Sequence, residues 1–391
     1  MSARVEGHVA PGFEAVAEAF AAGFADRPSM GAALAIRQRG ELVVSLWGGV
    51  ADERSGTPWT RETPSVVFSC TKGLMALLAA QQVEAGTLAY DAFVAEIWPE
   101  FGVSGKSCVR VSDLLAHRAG LSAPQTDWRF EDLLDWDLIA ARLAVQVPLW
   151  PAGQGYAYHA ITHGWLIGEV LRRVTGKTVG QLFAEQVTAP LHAAAWIGRP
   201  AELTPVTAHM QAAPALTAFW AEEAIKPSSE QSWTFRAMTL GGALPPSLVT
   251  NRRGFNDPRL QAAEVPGAGG IATAEALATI WSATVTQTEG VRLLGAETLA
   301  QATQTVTEGP PVFDVPGPYA RWGMGFQLDS EARRYLTDVS FGHDGAGGQV
   351  AFADPRHDIG FAFITNWMEA GEDRRATAVL DALRPIVGAS R

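Results

Sequence analysis

The chain has 391 residues but only two cysteines, Cys70 and Cys108. That is too few for a disulfide framework, so both are expected reduced and buried. It also lacks any Lys/Arg-rich run, and 30 basic residues stand against 41 acidic ones for a net charge of −11. The electrostatic footprint of a nucleic-acid binder is therefore missing, and nucleic acid is excluded as a partner. No apolar window is long enough to span a bilayer, and Met1-Ser2-Ala3-Arg4-Val5-Glu6-Gly7-His8 does not read as an export leader. A cytoplasmic protein without a membrane partner is expected. Absent too is G-x-S-x-G, the strained serine turn of the α/β-hydrolase fold.

What is present is ample core material, with 47% apolar residues, enough for one large or two interleaved domains. Phe13, Val16, Phe20 and Phe24 recur with helical period, and strand-like runs follow at 30–37 and 41–47, joined at Arg39-Gly40. A run of helices is predicted over 69–85, 111–117, 131–145, 159–174 and 178–186. Strand-like runs return at 325–328, 349–353 and 360–365, before a helical 373–387. This order predicts a sheet domain made from residues 1–65 and 266–391, with a mostly helical region, 66–265, inserted between them. The stretch 245–270 reads as a long functional loop.

Chemistry enters with Ser69-Cys70-Thr71-Lys72, set between Ser65-Val66-Val67-Phe68 and the apolar, helix-like Gly73-Leu74-Met75-Ala76-Leu77-Leu78. If a helix begins near Ser69, a spacing of three puts hydroxyl and amine on one face, within reach of each other. A serine hydroxyl needs a group to take its proton, and a lysine can do so where burial or a second cation lowers its pKa. The helix start adds unpaired N–H groups that favour negative charge on the serine oxygen. One S-x-x-K arises by chance roughly once in a chain of this size, so the strand-like approach, the helical departure and the boxes further on carry the argument.

Ahead of the 159–174 helix lies Pro151-Ala152-Gly153-Gln154-Gly155-Tyr156-Ala157-Tyr158-His159-Ala160, and the helix carries Gly164-Trp165-Leu166-Ile167-Gly168-Glu169-Val170. This turn, tyrosine and helix resemble the Y-x-N box of class C β-lactamases and penicillin-binding proteins. Leu114-Leu115-Ala116-His117-Arg118-Ala119-Gly120-Leu121 and Pro266-Gly267-Ala268-Gly269-Gly270-Ile271-Ala272-Thr273 resemble further recurring segments of that family, so the likeness covers nearly the whole chain. The resemblance implies that Tyr158 sits beside Lys72 and exchanges the nucleophile's proton, its free pKa of about 10 lowered by the Lys72 ammonium. His159-Ala160 stands where the family usually has Ser-Asn, so the asparagine that would hold a lactam amide is missing.

The family's third box is K-T-G on an edge strand. Lys177-Thr178-Val179 lacks the glycine and follows the helix-ending Val174-Thr175-Gly176, so it is set aside. The better match is Phe341-Gly342-His343-Asp344-Gly345-Ala346-Gly347-Gly348, with His343 for lysine, Asp344 for threonine and Gly345 retained. The resemblance implies an oxyanion hole from the N–H groups of Ser69 and Ala346, on a glycine-dense edge that a substrate carbonyl can approach closely. Without lysine at 343 the cation for a penicillin or cell-wall carboxylate is gone, and Asp344 adds negative charge; both changes favour a neutral substrate. The whole pattern is most similar to the β-lactamase-like family VIII carboxylesterases.

The resemblance thus implies an α/β fold of the β-lactamase/transpeptidase type, an antiparallel sheet flanked by helices plus a mostly helical region, with the site at their junction. The implied activity is that of a serine carboxylesterase on small, neutral, short-chain esters. Ser69 attacks, Lys72 and Tyr158 form a coupled proton relay, and Tyr158 protonates the leaving alkoxide and deprotonates water. His343, Gly345, Tyr156 and Trp233 are expected to bind substrate. The partner is a small-molecule ester, and no metal or cofactor is called for. A β-lactamase or D-Ala-D-Ala-type peptidase, an acyltransferase using the same acyl-enzyme, and a non-enzymatic binding module are the alternatives.

His159 and His163 are spaced like zinc ligands, but Ala160 stands where H-E-x-x-H needs its glutamate. His117 reads as a hydrogen-bonded helix-end histidine, Cys70 as core packing, and Tyr156 as a packing tyrosine. Most of the 13 tryptophans belong to the core, while some of Trp47, Trp150, Trp233, Trp322 and Trp367 are expected to line an apolar acyl or alcohol pocket shaped by the 200–260 and 305–320 loops.

Overall fold

The structure, a computed structural model, describes residues 4–203, 206–369, 371 and 373–388. Residues 1–3, the first of the stretch weighed as a leader, lie outside them. Period-two alternation builds the main sheet. In the strand Gly31–Gln38, Ala32, Leu34 and Ile36 face one side and Ala33 and Ala35 the other. Gln349–Asp354 likewise sets Val350 and Phe352 against Ala351 and Ala353. The large side chains pack with Phe20, Leu380 and Leu383 of the paired terminal helices Glu14–Ala22 and Arg375–Gly388. The alanine side admits the helix Ala274–Val285, so closely that a Cβ on Gly360 would stand 2.2 Å from the Ala278 carbonyl oxygen. Glycine is the residue that fits there.

The order across this antiparallel sheet is Val5–Val9, Glu41–Asp52, Gly31–Gln38, Ile359–Thr365, Gln349–Asp354, Phe341–Gly345, Gln327–Leu328 and Arg321–Trp322, with Thr57–Pro58 paired onto Glu41–Asp52. A smaller antiparallel sheet joins Ser65–Phe68, Gly270–Ala272 and Ala195–Ile197 at the entry to the helix Cys70–Glu84. Between these come the helices Val111–Leu115, Trp136–Val145, Thr162–Thr175 and Val179–Phe183. The chain thus has the β-lactamase/transpeptidase-like arrangement of an antiparallel sheet with helices.

Several local expectations are corrected. The helix expected over 131–145 is divided into a 3-10 segment, Phe130–Leu134, and Trp136–Val145, because the Asp135 side chain accepts the Leu138 N–H at 3.0 Å and caps the second piece. The helix expected from 159 begins at Thr162, leaving Tyr158 and His159 in the irregular segment before it. The 245–270 stretch holds a short helix, Pro258–Ala262, started by Asp257. Cys70 is buried, but Cys108 is exposed, since its neighbours Lys106 and Val109 take the inward positions of that turn. Among the described residues no helix is long and apolar enough to cross a membrane.

Candidate active site

The strand Ser65–Phe68 ends with Phe68 at φ +44°, a conformation that a phenylalanine rarely adopts. Thr71 holds the strained turn in place: its hydroxyl donates to the Phe68 carbonyl and accepts the Gly270 N–H at 2.9 Å. The turn delivers Ser69 to the N-cap of Cys70–Glu84, with Lys72 one turn further on.

Lys72 is 0% exposed, and its Nζ lies 3.1 Å from Ser69 Oγ while donating to the carbonyls of Ala160 at 2.5 Å and Gly267 at 2.6 Å. Burial pushes its pKa well below the usual lysine range. A neutral amine has two hydrogens and one lone pair. In that form the two carbonyls would take both hydrogens and leave the lone pair for the serine hydroxyl.

Tyr158 lines the same cavity as Ser69, near enough for the serine side chain to act on its pKa, and its ring centroid is 4.9 Å from Lys72 Nζ. It stacks on Trp322 at 5.4 Å and meets His117 at 4.9 Å. Burial raises its pKa, and the Ser69 contact pulls the other way more weakly. The expected lowering is thereby overturned: burial outweighs it, and the same burial pushes Lys72 away from the ammonium form that was to cause it. His117 positions the tyrosine segment from both sides, its carbonyl accepting the Ala157 N–H at 3.3 Å and its Nδ1 the His159 N–H at 3.2 Å. His159 spends both ring nitrogens on the backbone, Nδ1 at 2.7 Å from the Ala157 carbonyl oxygen and Nε2 accepting the Leu121 N–H at 3.0 Å. Neither nitrogen is left for zinc.

His343 reaches the site from Phe341–Gly345, with its ring 5.4 Å from that of Trp322 and 6.1 Å from that of Tyr158. Burial pushes its pKa down to about 3, so it is neutral. Asp344 does not present the bare charge expected of it, because Arg333 pairs with its carboxylate and Tyr335 donates to it at 3.2 Å. Beyond Gly345 the chain turns, held by Arg375, which donates to the Gly347 carbonyl at 2.8 Å. Within the turns and loops of the described residues, neither the Ser69 nor the Ala346 N–H is spent on a main-chain acceptor. Both can point at an oxyanion.

Ser69, Tyr158, Tyr156, Trp233, His343, Gly345 and Ala346 all line one cavity of about 500 Å³. Lys72 lies behind Ser69. Of the other tryptophans weighed, Trp322 forms part of the wall, and Trp150 backs it edge-on to Phe313 at 5.5 Å. Trp47 belongs to the strand Glu41–Asp52, and Trp367 donates its indole N–H to Glu369 at 2.9 Å. Cys70 Sγ donates to the His343 carbonyl at 3.1 Å as a packing residue. Tyr156 is buried and donates its hydroxyl to the Gly309 carbonyl at 2.5 Å, which ties the following segment to the cavity. The 305–320 loop was expected to shape the pocket; which of its residues form the wall was not, although Pro310, Pro311, Pro316 and Pro318 mark it as stiff. The Arg333 partnership had no local signal.

A nucleophile at a helix start, a buried amine at its hydroxyl and a pair of open N–H groups across a cavity define a serine hydrolase. The β-lactamase family model matches residues 16–384, and the chain belongs to that family. It is 34% identical over 370 residues to the esterase/β-lactamase LipL of Mycobacterium tuberculosis, an alignment covering 93% of this chain and 83% of that one. The crystal structure of a family VIII carboxylesterase superposes with a TM-score of 0.85 at 34% identity, covering 98% of this chain and all of the other. EstA from Arthrobacter nitroguajacolicus Rue61a gives a TM-score of 0.85 at 30% identity, with 100% of both chains covered.

Proposed function

We propose that this chain is a serine carboxylesterase that cleaves neutral esters through an acyl-enzyme on Ser69, with Lys72 as base and Tyr158 as acid. The observation that carries the reading is a buried Lys72 Nζ 3.1 Å from Ser69 Oγ with the Tyr158 ring 4.9 Å from the same nitrogen; burial moves their pKa values apart, Lys72 downward and Tyr158 upward. Ser69 gives its proton to Lys72 as Oγ bonds to the ester carbon, and the Ser69 and Ala346 N–H groups receive the oxyanion. Tyr158 protonates the departing alkoxide as the carbon–oxygen bond breaks, and the Lys72 ammonium restores the tyrosine proton. Water retraces the path. Its proton passes to Tyr158 as the tyrosine proton moves to Lys72, hydroxide adds to the acyl carbon, and Lys72 returns a proton to Ser69 as the acyl bond breaks.

Substrate neutrality rests on charge: no lysine or arginine lines the described cavity, and His343 is uncharged where the family places a cation. The reading includes a cytoplasmic location, in keeping with two unpaired cysteines, and a small-molecule ester as partner. The test is intact mass and peptide mapping after a p-nitrophenyl alkylphosphonate, beside a p-nitrophenyl butyrate assay. One adduct on Ser69 with loss of turnover is expected. Full esterase activity with Ser69 unmodified would overturn the mechanism.

A further inference from the structure

Resting on that reading, we propose that the substrate is an uncharged ester whose acyl or alcohol part is a bulky apolar group of aromatic size. It would be seated between the helix Trp233–Thr239 and the segment 311–320. The first wall is one face of the helix: Trp233, Thr234, Ala237 and Met238 follow helical spacing and all border the cavity. Ser232 caps the helix by accepting the Phe235 N–H at 3.2 Å, and Arg236, 3% exposed, anchors it to the Pro124 carbonyl and Asp127. The facing wall is Phe313, Val315, Pro316, Pro318 and Tyr319. It is fastened at one end, where the Val312 N–H donates to the Tyr156 carbonyl at 2.8 Å and Phe313 abuts Trp150.

Two consequences follow from physical chemistry. Walls fixed by a cap, an ion pair, main-chain bonds and prolines give a cavity that is already formed before substrate arrives, so little ordering entropy opposes binding. An acetyl or ethyl group would leave most of the 500 Å³ without contact, and an apolar surface without a partner atom contributes no dispersion or burial energy. A six-membered ring offers both walls more apolar surface to cover. Enlarging Ala237 on the helix face would take up cavity space, and truncating Phe313 on the facing wall would open it.

The experiment measures kcat/KM in two ester series, each normalised to its alkaline hydrolysis rate. In one, p-nitrophenyl acetate is compared with p-nitrophenyl cyclohexanecarboxylate and benzoate. In the other, ethyl acetate is compared with cyclohexyl and benzyl acetate. At least about a tenfold rise from the small to the ring substituent is expected in one series. Ala237→Phe and Phe313→Ala should each cut that ring-to-small ratio at least about tenfold. Labelling of Ser69 by a methylphosphonate, followed by mass in all three proteins, reports an intact site. Labelled proteins with no ring preference in either series, or a ratio the two variants leave in place, would overturn this inference and leave the serine esterase standing. Failure of Ser69 to label in the parent enzyme would overturn both.

Discussion

Lys72→Met tests the neutral amine directly, because methionine keeps the apolar length of the side chain and removes the titrating nitrogen. The sign follows from linkage. On the proposed mechanism Lys72 is uncharged in the folded protein, the form that its burial favours, while in the unfolded chain it holds a proton up to about pH 10.4. Below that value unfolding takes up one proton at this residue, so its contribution makes the folded state more stable as pH rises, by about 1.4 kcal/mol per pH unit. The variant lacks that slope. The stability difference between parent and variant should therefore shift in favour of the parent by about 2 kcal/mol between pH 8 and pH 9.5. Superimposed on it is a pH-independent cost of about 2–6 kcal/mol for the Ala160 and Gly267 carbonyls that lose their donor. The measurement is urea denaturation of both proteins, followed by tryptophan fluorescence, at several pH values in that window. Ester turnover, read alongside, should fall at least about a thousandfold with loss of the base. Parallel stability profiles would mean that the lysine is charged in the fold, its three hydrogens spent on two carbonyls and Ser69 Oγ, and the assignment of base and acid would be wrong.

Tyr158→Phe keeps the ring stacked on Trp322 and removes the acid, so kcat for p-nitrophenyl butyrate should fall about 10²- to 10⁴-fold with little change in Tm; a rate near that of the parent would refute the role. His117, His159, His163 and His343 all have pKa values lowered by burial, to about 4 for His159 and about 3 for His343. Unfolded histidines take up protons as pH falls below about 6.5 and these folded ones do not. Stability measured by denaturation should thus drop steeply from pH 6 downward, approaching about 5 kcal/mol per pH unit near pH 5, and a flat profile would contradict it. For the same reason the ester pH–rate profile should show no limb near 6.5 that His343→Gln removes. Gly360→Ala would drive a methyl group against the main chain of Ala278 and Ser282, at 2.2 and 2.3 Å; a loss of about 3 kcal/mol is expected in chemical denaturation.

Legibility in the sequence followed the range of the physics. The sheet strands were readable because apolar alternation is local: Leu34 and Ile36, or Val350 and Phe352, mark one face without knowledge of what covers it. The site boxes were readable because a nucleophile needs its base at a fixed spacing on one helix, and Lys72 is three residues from Ser69. His159 was placed on a helix because its neighbours have helical period. What keeps it out is tertiary, the grip of His117 on residues 157 and 159 from 40 positions earlier. The direction of the Tyr158 pKa shift was misjudged for a related reason. The resemblance implied an ammonium beside a phenol, but burial of both groups is a property of the whole packed interior. The Arg333 that pairs with Asp344 is also a long-range fact, as is which side chains of the expected 305–320 loop face the cavity.

The replacement of a cation by His343 bears on catalysis as well as on substrate charge. A lysine at 343 in contact with this site would place positive potential beside the phenol, lowering the pKa of Tyr158 and favouring a phenolate that accepts protons. The same potential would press Lys72 further toward its neutral form. With an imidazole whose charge burial has removed, the proposed division of duties holds: Tyr158 keeps its proton as the acid, and Lys72, 3.1 Å from Ser69 Oγ, is the base. Low local dielectric then works in one direction: it holds the amine neutral, and it strengthens the pull of the Ser69 and Ala346 N–H groups on a developing oxyanion. An anionic substrate would enter this environment with its charge unpaired, since no cation lines the described cavity. A neutral ester develops negative charge only at the carbonyl oxygen, where the donors already are. The residue at 343 therefore couples two properties that could otherwise vary separately, the neutrality of the substrate and the division of proton duties between lysine and tyrosine.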